Sequence, residues 1–164
     1  MFYFTEKWLL ARKPCSRSAQ SLDFKISSEF MSENRNPKLL AQLPIPTLSL
    51  ATHQIAGRGR GSNSWLSPPG CLQFSLLLRL SLASFPAARL VYIQYLFGLA
   101  VVEACRSSNV LGPFGDRVRL KWPNDIYALT ESHGAPRKIG GILVNTSFMG
   151  GSVDVIIGSS HNFP

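Results

Sequence analysis

The chain has 164 residues, of which 45% are hydrophobic and 16% are charged. This length fits one domain, and the composition excludes a disordered basic tail because enough apolar residues are present to form a core. Its 17 lysine and arginine residues against 9 aspartate and glutamate residues give a net charge of +8. That excess favours anionic partners without deciding between a nucleotide and a nucleic acid.

The sequence pattern predicts a poorly structured N-terminal extension over residues 1–33 and the folded domain over residues 34–164. The extension is rich in basic residues and serine, which loosely resembles a mitochondrial presequence. Glu6 and Asp23 interrupt that pattern, so an ordinary extension is favoured over a targeting peptide. We therefore expect a cytoplasmic protein.

Cysteine and histidine spacing argues against disulfide and zinc sites. The three cysteines form no Cys-x-x-Cys pair, and the three histidines lack the spacing of metal ligands. The longest apolar stretch, residues 90–105, is shorter than the ~20 residues that a membrane span requires. We expect neither a membrane span nor a membrane partner.

The first predicted elements are a short helix, a strand and a loop. The helix over residues 39–43 ends at the prolines that follow it, and residues 47–53 alternate like a strand. Residues 54–61 are expected to form a loop at the end of this strand. A turn at residues 67–70 then precedes a long apolar strand over residues 71–80.

The remaining predicted elements are one long helix followed by hairpins. Ser84 is expected to cap a helix that runs from Pro86 to about Ser107. The pattern then predicts, in chain order, a loop over residues 109–116, strands over 117–121 and 126–129 around a turn at 123–125, and a polar insert over 130–137. Lys138 opens the next strand, which includes residues 142–148, and Gly150 and Gly151 join it to a strand over 153–157. An α+β fold follows, with a mixed, largely antiparallel sheet and helices on one face.

Residues 54–61 read Gln-Ile-Ala-Gly-Arg-Gly-Arg-Gly. Glycine lets the backbone approach a ligand closely, and arginine presents a planar, charged fork to carboxylate or phosphate oxygens. The segment therefore predicts an anion-binding loop. Two alternatives stay open from these residues alone: a glycine-rich surface turn, and an arginine- and glycine-rich segment that follows RNA.

Residues 121–125 read Lys-Trp-Pro-Asn-Asp. The proline fixes the turn, so the Lys121 ammonium group and the Asp125 carboxylate can project into one pocket. The alternative is an ordinary strand end at which Lys121 and Asp125 pair with each other.

A third segment places Lys138 just before the paired glycines Gly140 and Gly141. Glycines inside a strand weaken it, and they often mark a β-bulge or a ligand that lies against the backbone. Lys138 would contact such a ligand. The alternative is a hairpin bulge beside a solvated lysine.

Three segments, QIAGRGRGSNSWLSPPG, LKWPNDIYAL and KIGGILVN, occur in this order and at this spacing. Together they resemble the biotin protein ligases, called holocarboxylase synthetases in eukaryotes. The residues within these segments look eukaryotic and are similar to those of fungal sequences. The resemblance runs from about residue 36 to about residue 158. It covers the first two thirds of that family's catalytic domain, so residues 34–164 look like a partial domain, truncated at the C-terminus. The implied fold is similar to class II aminoacyl-tRNA synthetases.

The resemblance implies protein biotinylation in two steps. Biotin and ATP, with Mg²⁺, form biotinyl-5′-AMP and pyrophosphate, and a lysine in the biotin-accepting domain of a carboxylase then takes the biotinyl group. Two hypotheses compete with this ligase: a nonenzymatic basic module that binds nucleic acid, and an enzyme similar to lipoate protein ligases. The motifs in residues 54–61 and 121–125 favour the biotin ligase.

The resemblance also implies roles for individual residues. Lys138 and Arg60 are the expected catalytic residues, because cations must offset the repulsion between the two reacting anions. The expected biotin-binding residues are Gln54, Arg58, Gly59, Arg60, Lys138 and Ser28. The expected ATP- and adenylate-binding residues are Arg58, Arg60, Trp65, Asn124, Asp125, Lys138, Gly141 and Asn162, and Asp125 is also the expected Mg²⁺ ligand.

The chain departs from the family pattern at two places. The Ser-Thr-Asn motif that contacts biotin in the family corresponds here to residues 27–30, where only Ser28 matches. The family's Gly-x-Gly-x-Asn motif corresponds to residues 158–162, where Gly158 and Asn162 match and Ser160 replaces the second glycine. These departures weaken the expected biotin pocket and leave the activity of the isolated chain open.

Overall fold

The computed structural model describes residues 37–51, 54–67, 70–107, 109–129 and 134–162. The expected N-terminal extension and Ser28 lie outside these ranges. The strands within them are β1 (Thr47–Ala51), β2 (Gln54–Arg58), β3 (Ser64–Ser67), β4 (Leu72–Ser81), β5 (Val118–Lys121), β6 (Asp125–Ala128), β7 (Arg137–Met149) and β8 (Ser152–His161). Six of these strands form an antiparallel sheet in the order β1–β4–β8–β7–β6–β5, while β2 and β3 form a separate hairpin. The predicted largely antiparallel α+β architecture is confirmed.

The alternation of side chains along β4 produces two packed faces. Leu76 and Leu78 point to one face and pack on the main hydrophobic core, which also contains Val155 and Ile142. Leu77 points to the other face and packs with a smaller cluster that contains Leu40 and Ile156. Because side chains alternate with a period of two, the long apolar strand feeds both clusters at once.

Within the described ranges, two α-helices accompany the sheet: α1 over Pro37–Leu40 and α2 over Val91–Arg106. α2 packs on the main core through Gly98, Val102 and Cys105, which are buried. A Cβ at position 98 would lie 2.8 Å from the Leu120 Cδ1 atom, so a larger residue there would require the Leu120 side chain to move. The four-residue α1 contributes Leu40 to the cluster on the opposite face.

The start of α2 differs from the prediction. A 3₁₀ turn over Ala87–Arg89 precedes the helix, and Leu90 occupies the N-cap position without a side-chain hydrogen bond. Ser84 is therefore not the cap, because the chain makes a turn of tighter pitch between Pro86 and the first α-helical residue. The predicted end is accurate, since the N–H of Ser107 donates to the carbonyls of Glu103 and Ala104.

By length and composition alone, the segment Ala87–Arg106 could cross a membrane, because it has 20 residues with a mean hydropathy of 1.4. It is thus slightly longer than the apolar stretch identified in the sequence. The inner side of this helix packs on the sheet through Gly98, Val102 and Cys105, and 17% of its apolar window is buried. The expected lack of a membrane partner stays a prediction.

The arginine-rich segment is a β-hairpin and not the loop that was expected. Residues 54–58 form β2, β3 pairs with it, and residues 59–63 make the tip. The close pairing depends on Gly57, since a Cβ there would lie 2.4 Å from the Trp65 carbonyl oxygen. Glycine therefore serves strand pairing here as well as access to the backbone.

β7 begins one residue before its predicted start at Lys138 and carries a β-bulge. It starts at Arg137, so the two central glycines lie well inside the strand. Ile126 of β6 pairs with Gly140, whereas Tyr127 pairs with Lys138, which leaves Ile139 as the extra residue on β7. The bulge reading of the paired glycines is confirmed. The turn into β8 is also as predicted, with positive φ at Gly150 and Gly151.

Candidate active site

Asp125, Lys138 and Gly141 lie on the face of the sheet opposite α2, and Trp65 contacts that face. Residues paired directly across antiparallel strands point to the same face. Ser160 of β8 pairs with Gly141 of β7, which in turn pairs with Asp125 of β6. The β2–β3 hairpin lies over this row of residues, because Trp65 reaches Ser160.

The centre of the site is an ion pair between Lys138 and Asp125. The Lys138 Nζ atom lies 2.7 Å from the Asp125 Oδ1 atom, and the two side chains are 38% and 23% exposed. In a regular strand, Lys138 and Gly141 would point to opposite faces, because they are three residues apart. The extra residue at Ile139 changes that alternation and brings the ammonium group to the face of Gly141. The bulge therefore positions the lysine.

Gly141 leaves the backbone uncovered beside this ion pair. A Cβ at that position would lie 3.8 Å from the Lys138 Cε atom and 4.0 Å from its Nζ atom. The space in front of Gly141 is thus the space that the ammonium group faces. An anion that entered it could contact the lysine and approach the strand closely.

Trp65 fixes the hairpin over the site. Its indole Nε1–H donates to the Ser160 Oγ atom at 2.8 Å, and the hydroxyls of Ser160 and Ser67 lie 3.0 Å apart. The Lys138 Nζ atom lies 5.4 Å from the centroid of the Trp65 ring, within the range of a cation–π contact. The indole is therefore held at one edge and presents its ring to the ammonium group.

Asn162 makes a second connection between the hairpin and the sheet. Its side-chain Nδ2–H donates to the Leu66 carbonyl at 3.3 Å, and its backbone N–H donates to the Ile139 carbonyl at 2.6 Å. This asparagine therefore holds β3 against the bulge. Its position is consistent with the expected nucleotide site, although the contacts seen are structural.

The tip of the hairpin is tied to the turn that precedes β6. The Arg60 Nη1–H donates to the Asn124 Oδ1 atom at 3.2 Å. Asn124 is 6% exposed, and its backbone carbonyl accepts a hydrogen bond from the Ile142 N–H at 2.9 Å. Asn124 is therefore held against β7 by its backbone and accepts a hydrogen bond from the Arg60 guanidinium group through its side chain. The other expected residues of the hairpin, Gln54, Arg58 and Gly59, lie on β2 and the tip.

Lys121 does not pair with Asp125, contrary to the alternative interpretation of residues 121–125. The two residues face each other across β5 and β6. The Lys121 Nζ atom, however, lies 5.1 Å from the centroid of the Tyr127 ring, while the carboxylate pairs with Lys138. The pairing interpretation of the Lys-Trp-Pro-Asn-Asp motif is therefore wrong. It failed because β7 supplies a second cation on the same face.

Two residues of this face were not identified from the sequence. Ser160 accepts the hydrogen bond from Trp65. The sequence feature that could have identified this role is the replacement of the family's second glycine by Ser160. Gln73 on β4 pairs with Ser160 across the strands and is buried. The sequence feature that could have identified Gln73 is a single amide side chain in an otherwise apolar strand.

His161 lies on the opposite face of the sheet, close to the core. Its Nε2 atom lies 2.6 Å from the Ser159 Oγ atom, and its ring centroid lies 6.5 Å from that of Phe74. Burial disfavours the charged imidazolium and lowers the pKa of His161 from 6.5 to about 4. At neutral pH this histidine is an uncharged part of the core.

Asp125 is the carboxylate available to a metal at this face. In the described parts of the chain, no three His, Cys, Asp or Glu residues form a group that could hold a metal ion. The residues present therefore do not form a metal cage by themselves. A Mg²⁺ ion bound here would take Asp125 as one oxygen ligand and would need its other oxygen ligands from outside this group of residues.

The comparisons with known proteins agree with the geometry. The family described as Biotin/lipoate A/B protein ligase family matches residues 28–162. The chain is 42% identical over 127 residues to a biotin–protein ligase of Homo sapiens, which corresponds to 76% of this chain and 16% of the relative.

Two solved structures are similar over 84% of this chain. The biotin protein ligase from Leishmania major, in complex with biotinyl-5-AMP, has a TM-score of 0.58 and 26% sequence identity, and 53% of that chain is covered. The biotin acetyl coenzyme A carboxylase synthetase from Helicobacter pylori, with bound biotinylated ATP, has a TM-score of 0.55 and 25% identity, and 57% of that chain is covered. The chain thus spans about half the length of these two enzymes.

Proposed function

Because the chain belongs to the biotin/lipoate A/B protein ligase family, we propose that it is a biotin protein ligase domain. It activates biotin with ATP and transfers the biotinyl group to a lysine of a biotin-dependent carboxylase. The observation that carries this proposal is the ion pair of Lys138 and Asp125 under the Trp65 ring, at the uncovered backbone of Gly141. That arrangement offers a fixed cation to an anion in a partly enclosed space.

In the first step, a carboxylate oxygen of biotin attacks the α-phosphorus of ATP. The bond from that phosphorus to the bridging oxygen breaks, and pyrophosphate leaves. Two unit charges ~4 Å apart repel by ~1 kcal/mol in water and by ~4 kcal/mol at an effective dielectric constant near 20. Lys138 offsets this repulsion at the reacting atoms, and its role is electrostatic stabilisation and not proton transfer.

Asp125 positions the lysine through the contact of 2.7 Å. Holding the ammonium group in place before the reaction removes the cost of reorganising it during the reaction. Arg60 supplies a second cation at the tip of the hairpin, where Asn124 holds it. Trp65, Asn124, Gly141 and Asn162 line the nucleotide side, while Gln54, Arg58 and Gly59 of the hairpin line the biotin side.

In the second step, the amine of the acceptor lysine attacks the carbonyl carbon of the mixed anhydride. The bond to the phosphate oxygen breaks, AMP leaves, and the nitrogen loses a proton. The intermediate reacts with water as well, so the hairpin over the sheet has a second role: it restricts the access of water. The acceptor is the biotin-accepting domain of a carboxylase.

Mg²⁺ and the cellular location stay predictions. Asp125 would be the protein residue that holds Mg²⁺, which would offset the charge of the ATP phosphates, and no step above depends on it. A cytoplasmic location follows from the sequence pattern alone. A lipoate-specific enzyme and a nucleic-acid-binding module are not favoured, since the similar proteins are biotin ligases.

The proposed function is tested by the biotin-dependent exchange of pyrophosphate into ATP. Lys138→Ala should lower the exchange rate by ~10² to 10³-fold, as expected for the loss of one preorganised group at a developing charge. Lys121→Ala is the matched control, because its ammonium group lies over Tyr127, and it should change the rate by no more than a few fold.

Two outcomes would contradict these statements separately. Equal exchange by Lys138→Ala and the parent chain would remove the role of Lys138 while leaving the ligase activity intact. Absence of biotin-dependent exchange in the parent chain would reject the proposed function of this chain.

A further inference from the structure

Gln94 is a polar residue on the side of α2 that faces the sheet. It lies four residues before Gly98 and eight before Val102, and this spacing places the three residues on one side of the helix. Gly98 and Val102 are buried, and Gln94 is half-buried. It is the only asparagine or glutamine among the residues of α2. A residue that only packed on the core would be apolar here, so the amide group needs another role.

The amide reaches the turn between β5 and β6. The Gln94 Nε2–H donates to the Pro123 carbonyl at 3.3 Å. One helical turn further on, α2 comes close to β5, since a Cβ on Gly98 would lie 2.8 Å from the Leu120 Cδ1 atom. The hydrogen bond therefore connects a helix that packs on the core to the turn that precedes Asp125.

Two hydrogen bonds together set the backbone conformation of Asn124. The carbonyl of Pro123, on its N-terminal side, accepts from Gln94, and the carbonyl of Asn124 itself accepts from the Ile142 N–H at 2.9 Å. Each peptide unit is planar, so holding the carbonyl on both sides of a residue restrains its φ and ψ. The direction of the Asn124 side chain therefore depends on contacts from α2 and from β7.

The Asn124 side chain in turn holds the arginine at the tip of the hairpin. Its Oδ1 atom accepts from the Arg60 Nη1–H at 3.2 Å, and Asn124 is 6% exposed. Arg60 comes from the β2–β3 hairpin, which lies over the face opposite α2, whereas Gln94 comes from α2. The turn between β5 and β6 thus links the position of the helix to the position of the arginine.

From these contacts we infer that Gln94 is a positioning residue for the reaction and that it acts on Arg60 through Asn124. The inference rests on the proposed function. Gln94 does not contact the substrates, because it approaches the turn from the side of α2. Its N–H donor holds the turn in the orientation in which Asn124 accepts from Arg60, so the second cation is in place before charge develops. Displacement of the turn would move the guanidinium group and lower the rate.

The experiment measures the biotin-dependent exchange of pyrophosphate into ATP by the 164-residue chain and its variants. Gln94→Met keeps the length of the side chain and removes the donor, so the rate should fall by ~3 to 10-fold, the effect of one hydrogen bond. Gln94→Glu keeps the shape but replaces the donor with an acceptor, and it should lower the rate at least as much. Gln42→Met, the same change at an exposed position, is the matched control and should leave the rate unchanged.

A second substitution shows whether the effect passes through Asn124. Asn124→Ala removes the acceptor of the Arg60 hydrogen bond and lowers the rate by itself. In that background Gln94→Met should cause no further loss, because the contact through which it acts is already absent. A glutamine with a merely structural role would lower the rate by the same factor in both backgrounds, and that result would overturn the inference.

The remaining outcomes separate this inference from the proposed function. If Gln94→Glu exchanges pyrophosphate as fast as the parent, only the size of the side chain matters, and the inference is overturned while the ligase function stands. The glutamate variant also carries the test if Gln94→Met does not fold, since an acidic residue is favourable near the N-terminus of a helix. If the parent shows no exchange, the inference and the proposed function are both overturned.

Discussion

At the scale of single residues, Gly140 and Gly141 are adjacent glycines with different reasons to be glycine. A Cβ on Gly140 would lie 2.2 Å from the His161 Nδ1 atom and 2.9 Å from the Ser160 carbonyl oxygen. A Cβ on Gly141 would meet nothing closer than 3.8 Å. Packing therefore excludes a side chain at the first position, whereas the second is open toward the candidate active site.

Alanine substitution should separate these two roles. Gly140→Ala should lower the free energy of unfolding by ~1–3 kcal/mol, the usual cost of forcing extra atoms into a packed core. Gly141→Ala should leave stability unchanged or slightly higher, because alanine restricts the unfolded chain more than glycine does. Urea unfolding curves measure both changes. Equal stability of the two variants would contradict the crowding around Gly140.

The sequence predicted Lys138 and Asp125 as candidate site residues but did not predict that they contact each other. Lys138 and Asp125 were both identified, yet the sequence left Lys121 as the neighbour of the carboxylate. The outcome depended on one bulge residue, Ile139, which turns Lys138 to the face of Asp125. Whether a strand accepts a bulge is decided by the pairing of β6 with β7, and a local pattern does not contain that pairing.

At the scale of elements, a buried ion pair joins β4 to β8. The Arg79 Nε atom lies 2.6 Å from the Asp154 Oδ1 atom, and a second bond of 3.0 Å joins Nη2 to Oδ2. The carboxylate is fully buried, whereas the arginine side chain is 30% exposed. The hydrogen bond to Asp154 raises the pKa of Arg79 above its ordinary value. Arg79 also donates to the Leu40 carbonyl, which connects α1 to the sheet.

Removing the arginine should cost more than removing the acid. Arg79→Met leaves a buried carboxylate without its cation and should lower the free energy of unfolding by ~3–5 kcal/mol. Asp154→Asn should cost less, because the guanidinium group can still reach water. Arg106→Met is the control: it breaks the exposed pair with Glu103 and should cost ~0.5 kcal/mol or less. Chemical denaturation of the three variants gives the order, and a smaller loss for Arg79→Met than for Asp154→Asn would contradict the burial argument.

Element types were easier to predict than element ends. The long strand, the long helix and the last hairpin were found because their hydrophobic periods are local properties. Ser84 has the residue type of a helix cap, whereas the helix begins only at Val91, after a 3₁₀ turn. The alternating glycines of the arginine-rich segment predict a loop, because glycine is depleted in strands. Its pairing with β3 through Gly57 overrode that preference.

At the scale of the whole molecule, His161 should make stability depend on pH. The unfolded chain binds a proton at this residue near pH 6.5, and the folded chain does so only near pH 4, because burial lowers the pKa. Between these values the unfolded state holds more protons, so stability falls as the pH drops from about 6.5 to about 4. A difference of ~2.5 pKa units corresponds to ~3 kcal/mol at the low end of this window.

The variant His161→Leu isolates this contribution from that of the carboxyl groups. Its free energy of unfolding should decline less steeply than that of the parent between pH 6.5 and pH 4. Above pH 7 the two proteins should show no difference in slope. Denaturation at a series of pH values measures both slopes, and parallel curves over the lower window would refute the buried, neutral histidine.

By itself, the sequence determined the antiparallel α+β architecture, the three motifs and, through their order, the family. Those features are local or repeat at short periods, so neighbouring residues are enough to specify them. Only the tertiary structure decided that Lys138 pairs with Asp125. It also decided that Arg60 donates a hydrogen bond to Asn124, 64 residues away in sequence, and that Trp65 donates one to Ser160, 95 residues away. It also placed Gln73 in the same row as Ser160. These contacts arise from strand order and register, which are set when distant segments bury their apolar faces together.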